Sequence, residues 1–203
     1  DQADIESSPA QQVGTVPIPG DFKYLDYNGD GIVNEDDRVA IGYPKLPQIT
    51  YGFTGGFTYK NFGLDVHFQG TSNSSVFISD YLMYEFYNRG RVQDIHQGRW
   101  TPATAETATY PALHIGATSQ NHVKNTFFLK DNPFLRLKNV ELSYQFKFKP
   151  TSAVKGLRVH LNGNNLFLIT KMPDDRESNY GWSGSGGAYP TVRRYNFGFK
   201  LYI

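Results

Sequence analysis

The stretch I-T-Y-G-F-T-G-G-F-T-Y-K-N-F-G-L-D-V-H-F-Q, Ile49 to Gln69, decides the fold. From Ile49 to Tyr59 the large apolar residues fall on odd positions, Ile49, Tyr51, Phe53, Phe57 and Tyr59, with Thr50, Thr54 and Thr58 between them. After Lys60-Asn61 the parity reverses, and Phe62, Leu64, Val66 and Phe68 alternate with Gly63, Asp65, His67 and Gln69. A period of two places each set on one face of a strand. A two-residue hairpin turn requires the reversal, because it sets Tyr59 opposite Phe62 and Phe57 opposite Leu64 on one face.

The same design recurs three times. Val140, Leu142, Tyr144 and Phe146 alternate with Asn139, Glu141, Ser143 and Gln145. Leu157, Val159 and Leu161 oppose Arg158, His160 and Asn162. Tyr195, Phe197, Phe199, Leu201 and Ile203 oppose Asn196, Gly198, Lys200 and Tyr202. The pattern predicts antiparallel strands over about 48–59, 62–70, 134–146, 157–169 and 191–203, with long connections at 71–133 and 170–190.

The chain of 203 residues is long enough for one domain with a sizeable core, and 20 Lys plus Arg against 19 Asp plus Glu leave a net charge of +1. That balance gives no electrostatic footprint for nucleic acid. The absence of cysteine removes thiol catalysis, thiolate zinc sites and disulfides. No apolar run reaches the ~20 residues of a membrane-spanning helix, and the first residues do not read as a signal peptide. With 15 Phe, 14 Tyr and 20 Gly the composition suits strands and turns, so an all-β chain is expected.

Two architectures use such strands. In a soluble sandwich the apolar face is core; in a transmembrane barrel it meets lipid. Strands of about 9 to 12 residues with Phe-rich and Tyr-rich faces match a tilted bilayer span. Charge agrees, since Lys or Arg facing lipid at the midplane costs about 2 to 4 kcal/mol. Asp65, His67, Glu141, Arg158, His160 and Lys200 all take the polar parity and are expected to line a lumen. Arg136 and Lys138 share parity with Val140, so on this reading they face lipid and sit at the rim. Short turns at Lys60-Asn61 and Lys147 to Gly156 are expected in the periplasm, long loops outside the cell, and the C-terminus in the periplasm. Five tilted strands cannot close a barrel, so further polypeptide is expected to cover the two edges.

A second signal is D-Y-N-G-D-G-I-V-N-E-D-D. Asp26, Asn28, Asp30, the Ile32 carbonyl, Asn34 and Asp37 occupy positions 1, 3, 5, 7, 9 and 12 of an EF-hand-like loop, with Gly31 at the sharp turn. The spacing predicts structural Ca2+ within an extracellular segment, residues 1–47. Asp at position 12 is shorter than the usual Glu, and Asn-Gly and Asp-Gly also make bare tight turns.

Enzyme chemistry is not expected. His67, His96, His114, His122 and His160 show no metal-ligand spacing, and the lone histidines read as polar lining. Asp174, Asp175, Arg176 and Glu177 read as solvated loop charge, and no nucleophile motif is present. Tyr180, Trp182 and Tyr189 among Gly and Ser suit stacking on a sugar ring, packing on a partner, or burial within their own loop. The segment S-D-Y-L-M-Y-E-F-Y-N reads as a short helix with Asp80 near its start.

Taken in order, several segments resemble the C-terminal part of SusC/RagA-like, TonB-dependent outer-membrane transporters. They are G-D-F-K-Y-L-D-Y-N-G-D-G, I-G-Y-P-K-L-P-Q-I-T-Y-G-F, R-W-T-P with Y-P downstream, F-L-R-L-K-N-V-E-L-S-Y and L-R-V-H-L-N-G-N-N-L-F, then the aromatic last strand. The resemblance runs from about Gly20 to Ile203. It implies the last five strands of a barrel of about 22 with a plug in its lumen. It also implies a SusD-like lipoprotein lid, TonB acting through a part this sequence lacks, and oligosaccharide or peptide cargo. Ile203 departs from the Phe that usually closes the family. The alternative from another class is a soluble, calcium-stabilised β module that binds glycans through its aromatic loops.

Overall fold

A computed structural model describes residues 1–115, 120–149, 151, 153–172 and 189–203. They fall into two compact units. The first holds Asp1–Gly42 and Phe77–Lys130; the second holds Tyr43–Val76 together with described residues of 131–172 and 189–203.

In chain order the strands are β1 (Ala10–Gln11), β2 (Ile32–Val33), β3 (Ile49–Tyr59), β4 (Phe62–Ser72), β5 (Ser75–Phe77), β6 (Leu129–Asp131), β7 (Phe134–Lys147), β8 (Gly156–Thr170) and β9 (Arg194–Tyr202). The long strands form one antiparallel sheet in the order β3-β4-β7-β8-β9, a meander with open edges at β3 and β9. β5 and β6 make a separate two-stranded ribbon. Register follows side-chain parity: Tyr59 pairs with Phe62 and Phe57 with Leu64.

Apolar rows cross the whole sheet. One runs Phe57, Leu64, Leu142, Leu161, Phe197; the next runs Tyr59, Phe62, Tyr144, Val159, Phe199. Phe62 and Tyr144 meet edge to face at 4.6 Å, an arrangement favoured by the ring quadrupoles. These rows are not core: Phe57 is 61%, Phe197 72% and Phe199 67% exposed.

The structure corrects the reading of Arg136 and Lys138. Val66 pairs with Val140 and His67 with Asn139, but Phe68 pairs with Leu137, so the register skips Lys138. On the other side Asn139 pairs with Asn164 and Leu137 with Phe167. A bulge adds one residue and exchanges the faces beyond it. Leu135 and Leu137 therefore continue the apolar face, and Arg136 turns to the polar face beside Gln69, fully buried.

The first unit carries the larger apolar core. Val33, Ile78, Met83, Tyr84, Tyr110, Ala112 and Phe128 are buried there. β1 and β2 pair in parallel, with the amides of Ala10 and Gln12 donating to the carbonyls of Gly31 and Val33. The short helix expected near Asp80 is replaced by 3-10 turns at Asp80–Leu82 and Tyr87–Arg89, with Asp80, Phe86 and Asn88 at positive φ. Left-handed residues cannot continue an α-helix.

Candidate functional site

The polar face of the five-stranded sheet collects all six residues expected to line a lumen. Asp65 lies between Gly56 and Glu141, and Glu141 lies between Asp65 and Asn162. Two carboxylates directly opposite one another repel. The Arg158 guanidinium offsets this by donating to Glu141 Oε1 at 2.7 Å and to Ser143 Oγ at 3.2 Å. His67 Nδ1 meets Thr54 Oγ1 at 2.8 Å. His160 lies across Gly198, where a Cβ would strike its ring at 2.6 Å, so the missing side chain makes room for the imidazole. Lys200 pairs with Arg158 across the strands, and its ammonium sits 5.2 Å from the Tyr202 ring centre.

Between these charges runs a ladder of amides. Asn164 donates to Asn139 Oδ1 at 3.1 Å, and Asn196 donates to Asn162 Oδ1 at 2.7 Å. These amides satisfy one another along the face and, being exposed, remain open to polar ligands.

The Asp26–Asp37 loop folds around its own backbone. Asp26 accepts from the amides of Gly29 and Gly31 at 2.7 and 2.8 Å, and Asp30 from Ile32 at 2.8 Å. Asp37 closes the loop by accepting from Tyr27, Asn28 and Asn34. The Asn34 amide, then those of Asn28 and Tyr27, hold its carboxyl below the usual carboxylate range. Gly29 and Gly31 at φ of 78° and 88° permit the turns. Among the described residues no three His, Asp or Glu side chains are arranged to hold a metal ion. The loop's donor chemistry does suit Ca2+: the side chains at positions 1, 3, 5, 9 and 12 all present oxygen, and the carboxylate oxygens of Asp26 that each accept one amide keep a second lone pair, whereas Asp37 Oδ1 already accepts two.

No family model matches the sequence. TonB-dependent receptor P26 of Formosa agariphila is 32% identical over 199 residues, covering 91% of this chain and 20% of that protein. TonB-dependent receptor SusC of Bacteroides thetaiotaomicron is 26% identical over 157 residues, covering 75% of this chain and 15% of that one. Among solved structures, the RagAB peptide importer in its open-open state superposes with a TM-score of 0.63 at 25% identity, covering 84% of this chain and 19% of that one. The closed-closed state gives the same TM-score over 91% of this chain. The chain belongs with the SusC/RagA-like TonB-dependent receptors. It spans about a fifth of the length of the first of these relatives.

In this SusC/RagA-like chain three of the quoted motifs, G-D-F-K-Y-L-D-Y-N-G-D-G, R-W-T-P and Y-P, meet in the first unit. The Trp100 ring of R-W-T-P lies over Gly20, which sits at φ 94°, and the amide of Ala112 after Y-P donates to the Gly20 carbonyl at 2.9 Å. Trp100 itself donates to the Tyr110 carbonyl at 2.8 Å. A Cβ at Gly20 meets both the ring and an unfavourable φ. Gly20→Ala is expected to destabilise this unit by about 1–3 kcal/mol, read as faster amide exchange at Trp100 and Ala112.

Sequence reasoning missed the buried hub of that unit. Glu85, fully buried, accepts from the Tyr110 hydroxyl at 3.0 Å, the His114 amide at 3.0 Å and His122 Nε2 at 2.9 Å. Tyr84 stacks on His122 at 4.3 Å, and His114 Nε2 meets Asp21 Oδ1 at 2.6 Å. His96, His114 and His122, expected as polar lining, are hydrogen-bonded within this packed unit. Burial raises Tyr24 and Tyr84 to about 12 and lifts Tyr110 as well, where the Glu85 charge adds to the effect. The unfolded phenols ionise near pH 10, so their stabilisation is whole below that pH and is lost as pH rises through about 12. An alkaline unfolding step between those values, followed by phenolate absorbance, is the expected result. Of the residues expected to touch a ligand, Tyr189 is exposed, while Tyr180 and Trp182 lie outside the described residues, as do Asp174, Asp175, Arg176 and Glu177.

Proposed function

We propose that this chain forms the C-terminal wall segment of a TonB-dependent outer-membrane importer of oligosaccharides or peptides, without catalytic activity of its own. The carrying observation is the sheet with two unlike faces: rows of exposed Phe, Tyr and Leu on one side, hydrogen-bonded acids, bases and amides on the other. The apolar rows face acyl chains, and Asp65, His67, Glu141, Arg158, His160 and Lys200 face the lumen. That exposure weighs against the soluble glycan-binding sandwich, whose apolar face is core. The open edges at β3 and β9 are completed by further barrel strands, to about 22, around a plug through which TonB delivers energy. A SusD-like lipoprotein covers the loop side, and Tyr189 belongs to a loop facing that lid or the cargo.

Absence of native cysteine makes the orientation directly testable. In a receptor with no other cysteine, Glu35→Cys is expected to react with an impermeant maleimide on intact cells, and Asn61→Cys only after the outer membrane is opened. The reverse pattern sinks the proposed topology.

The same reading assigns Ca2+ to Asp26, Asn28, Asp30, the Ile32 carbonyl, Asn34 and Asp37, where it stiffens an extracellular loop. Calcium is expected to raise the thermal midpoint of the first unit by a few degrees, and Asp26→Asn with Asp30→Asn to abolish the rise. An unchanged midpoint at millimolar calcium overturns the assignment.

A further inference from the structure

At the short-turn end of the sheet the charges are of one sign. Lys60 stands in the β3–β4 turn, and Lys147, Lys149 and Lys155 lie at and within the neighbouring β7–β8 turn. The two turns are tied together: the Gln145 amide donates to the Asn61 carbonyl at 2.9 Å, and the Phe148 amide to the Lys155 carbonyl at 3.0 Å. The Lys155 amide donates in turn to the Tyr202 carbonyl at 2.7 Å, which fixes this lysine at the tip between β7 and β9. All four lysines are exposed, and among the described residues none of them forms an ion pair. No Asp or Glu occurs from Lys60 to Leu64 or from Leu142 to Pro173, a stretch that takes in the whole β7–β8 turn. Like charges gathered in adjacent turns repel one another and attract anions.

The same rim is aromatic. Tyr59, Phe62, Phe146 and Phe148 are all exposed, and the Lys60 ammonium sits 5.3 Å from the Tyr59 ring centre. Tyr59 and Phe62 pair in an apolar row, so the cations stand where the apolar face ends. Aromatic rings beside basic side chains at the boundary of an apolar surface match the headgroup zone of a bilayer. Lys60 is at φ 55°, a conformation that Asn, Asp or Gly adopts at lower cost, so turn chemistry does not account for the lysine. We propose that this rim binds the headgroups of anionic phospholipids in the periplasmic leaflet. The proposal rests on the reading of the apolar rows as a lipid-facing wall with its short turns in the periplasm, and adds which lipid that wall prefers. The lysines meet the phosphodiester, and the acyl chains lie along the apolar rows behind it.

Delipidated full-length receptor in neutral detergent is titrated with phosphatidylglycerol and with phosphatidylethanolamine of the same acyl chains, and bound lipid is counted by native mass spectrometry. Phosphatidylglycerol is expected to bind about 10-fold more tightly, because phosphatidylethanolamine carries its own ammonium, and added salt to narrow the difference. Lys149→Gln with Lys155→Gln is expected to weaken phosphatidylglycerol about 5- to 10-fold and to leave phosphatidylethanolamine unchanged, whereas Lys149→Arg with Lys155→Arg keeps the preference. Lys171→Gln, just past the opposite end of β8, is expected to change neither affinity. Equal affinity for the two lipids, no binding of either, a preference that survives replacement of all four lysines by Gln, or one that Lys171→Gln removes overturns the proposal. Full displacement of phosphatidylglycerol by millimolar glycerol phosphate marks a site for free anions and overturns it too. Uptake by cells is scored separately: a lysine-dependent lipid preference without TonB-dependent uptake contradicts the importer reading and leaves the rim standing.

Discussion

Leu161→Lys is expected to cost the membrane-inserted barrel about 2 to 4 kcal/mol, whereas Asn162→Lys, one residue further along β8, costs no more than about 1 kcal/mol. Leu161 sits midway along the strand in a row with Leu142 and Phe197 and is 52% exposed. A lysine there must either carry its charge in hydrocarbon or distort the bilayer to reach water. Asn162 points to the opposite face, where the replacement loses one amide hydrogen bond and keeps its charge solvated. Folding yield into lipid vesicles and urea midpoints of the assembled receptor distinguish the two. Equal penalties at the neighbouring positions abolish the assignment of faces.

Glu85→Ala is expected to destabilise the first unit by about 3–5 kcal/mol, because it strips three donors of one buried acceptor at once. Tyr110 keeps a second acceptor, the Met83 carbonyl at 2.6 Å, but His122 Nε2 and the His114 amide lose their partner. Glu85→Gln retains an acceptor oxygen, so it is expected to lose less. The wild type carries the same dependence in its pH profile. Burial pushes the Glu85 carboxyl up, but hydrogen bonds from His122 and His114 outweigh it and leave the group below its ordinary 4.5. A depressed carboxylate contributes stability that is whole above that pH and is lost as pH falls through the folded value. Amide exchange of residues 77–115 is expected to accelerate in wild type as pH drops below about 4.5, after correction for intrinsic rates, and to show no such step in Glu85→Ala. A variant as protected as wild type removes Glu85 from the hub.

These two expectations differ in how far they were legible. The place of Leu161 on the apolar face follows from alternation alone, since a side-chain period of two leaves no freedom once one face is assigned. Arg136 was harder. Its segment does carry a signal, because Leu135 and Leu137 are odd and Val140 is even, and one extra residue between them reconciles both with a single face. The Glu85 hub offers no such signal. Glu85 meets His122 across 37 positions, His114 meets Asp21 across 93, and the Phe22 amide meets Asn121 across 99. No periodicity joins residues so far apart on irregular chain.

The sequence by itself determined the alternation, the hairpin register and the spacing of the acidic loop, because each depends on neighbours within one strand or one turn. Only the tertiary structure decided that Lys138 is the bulged residue, that Arg136 turns to the polar face, and that Gly20, Trp100 and Tyr110 meet around a buried carboxylate network. Those outcomes depend on which distant backbone lies alongside. Local geometry constrains the direction of a side chain, while the identity of its partner is set by packing across the fold.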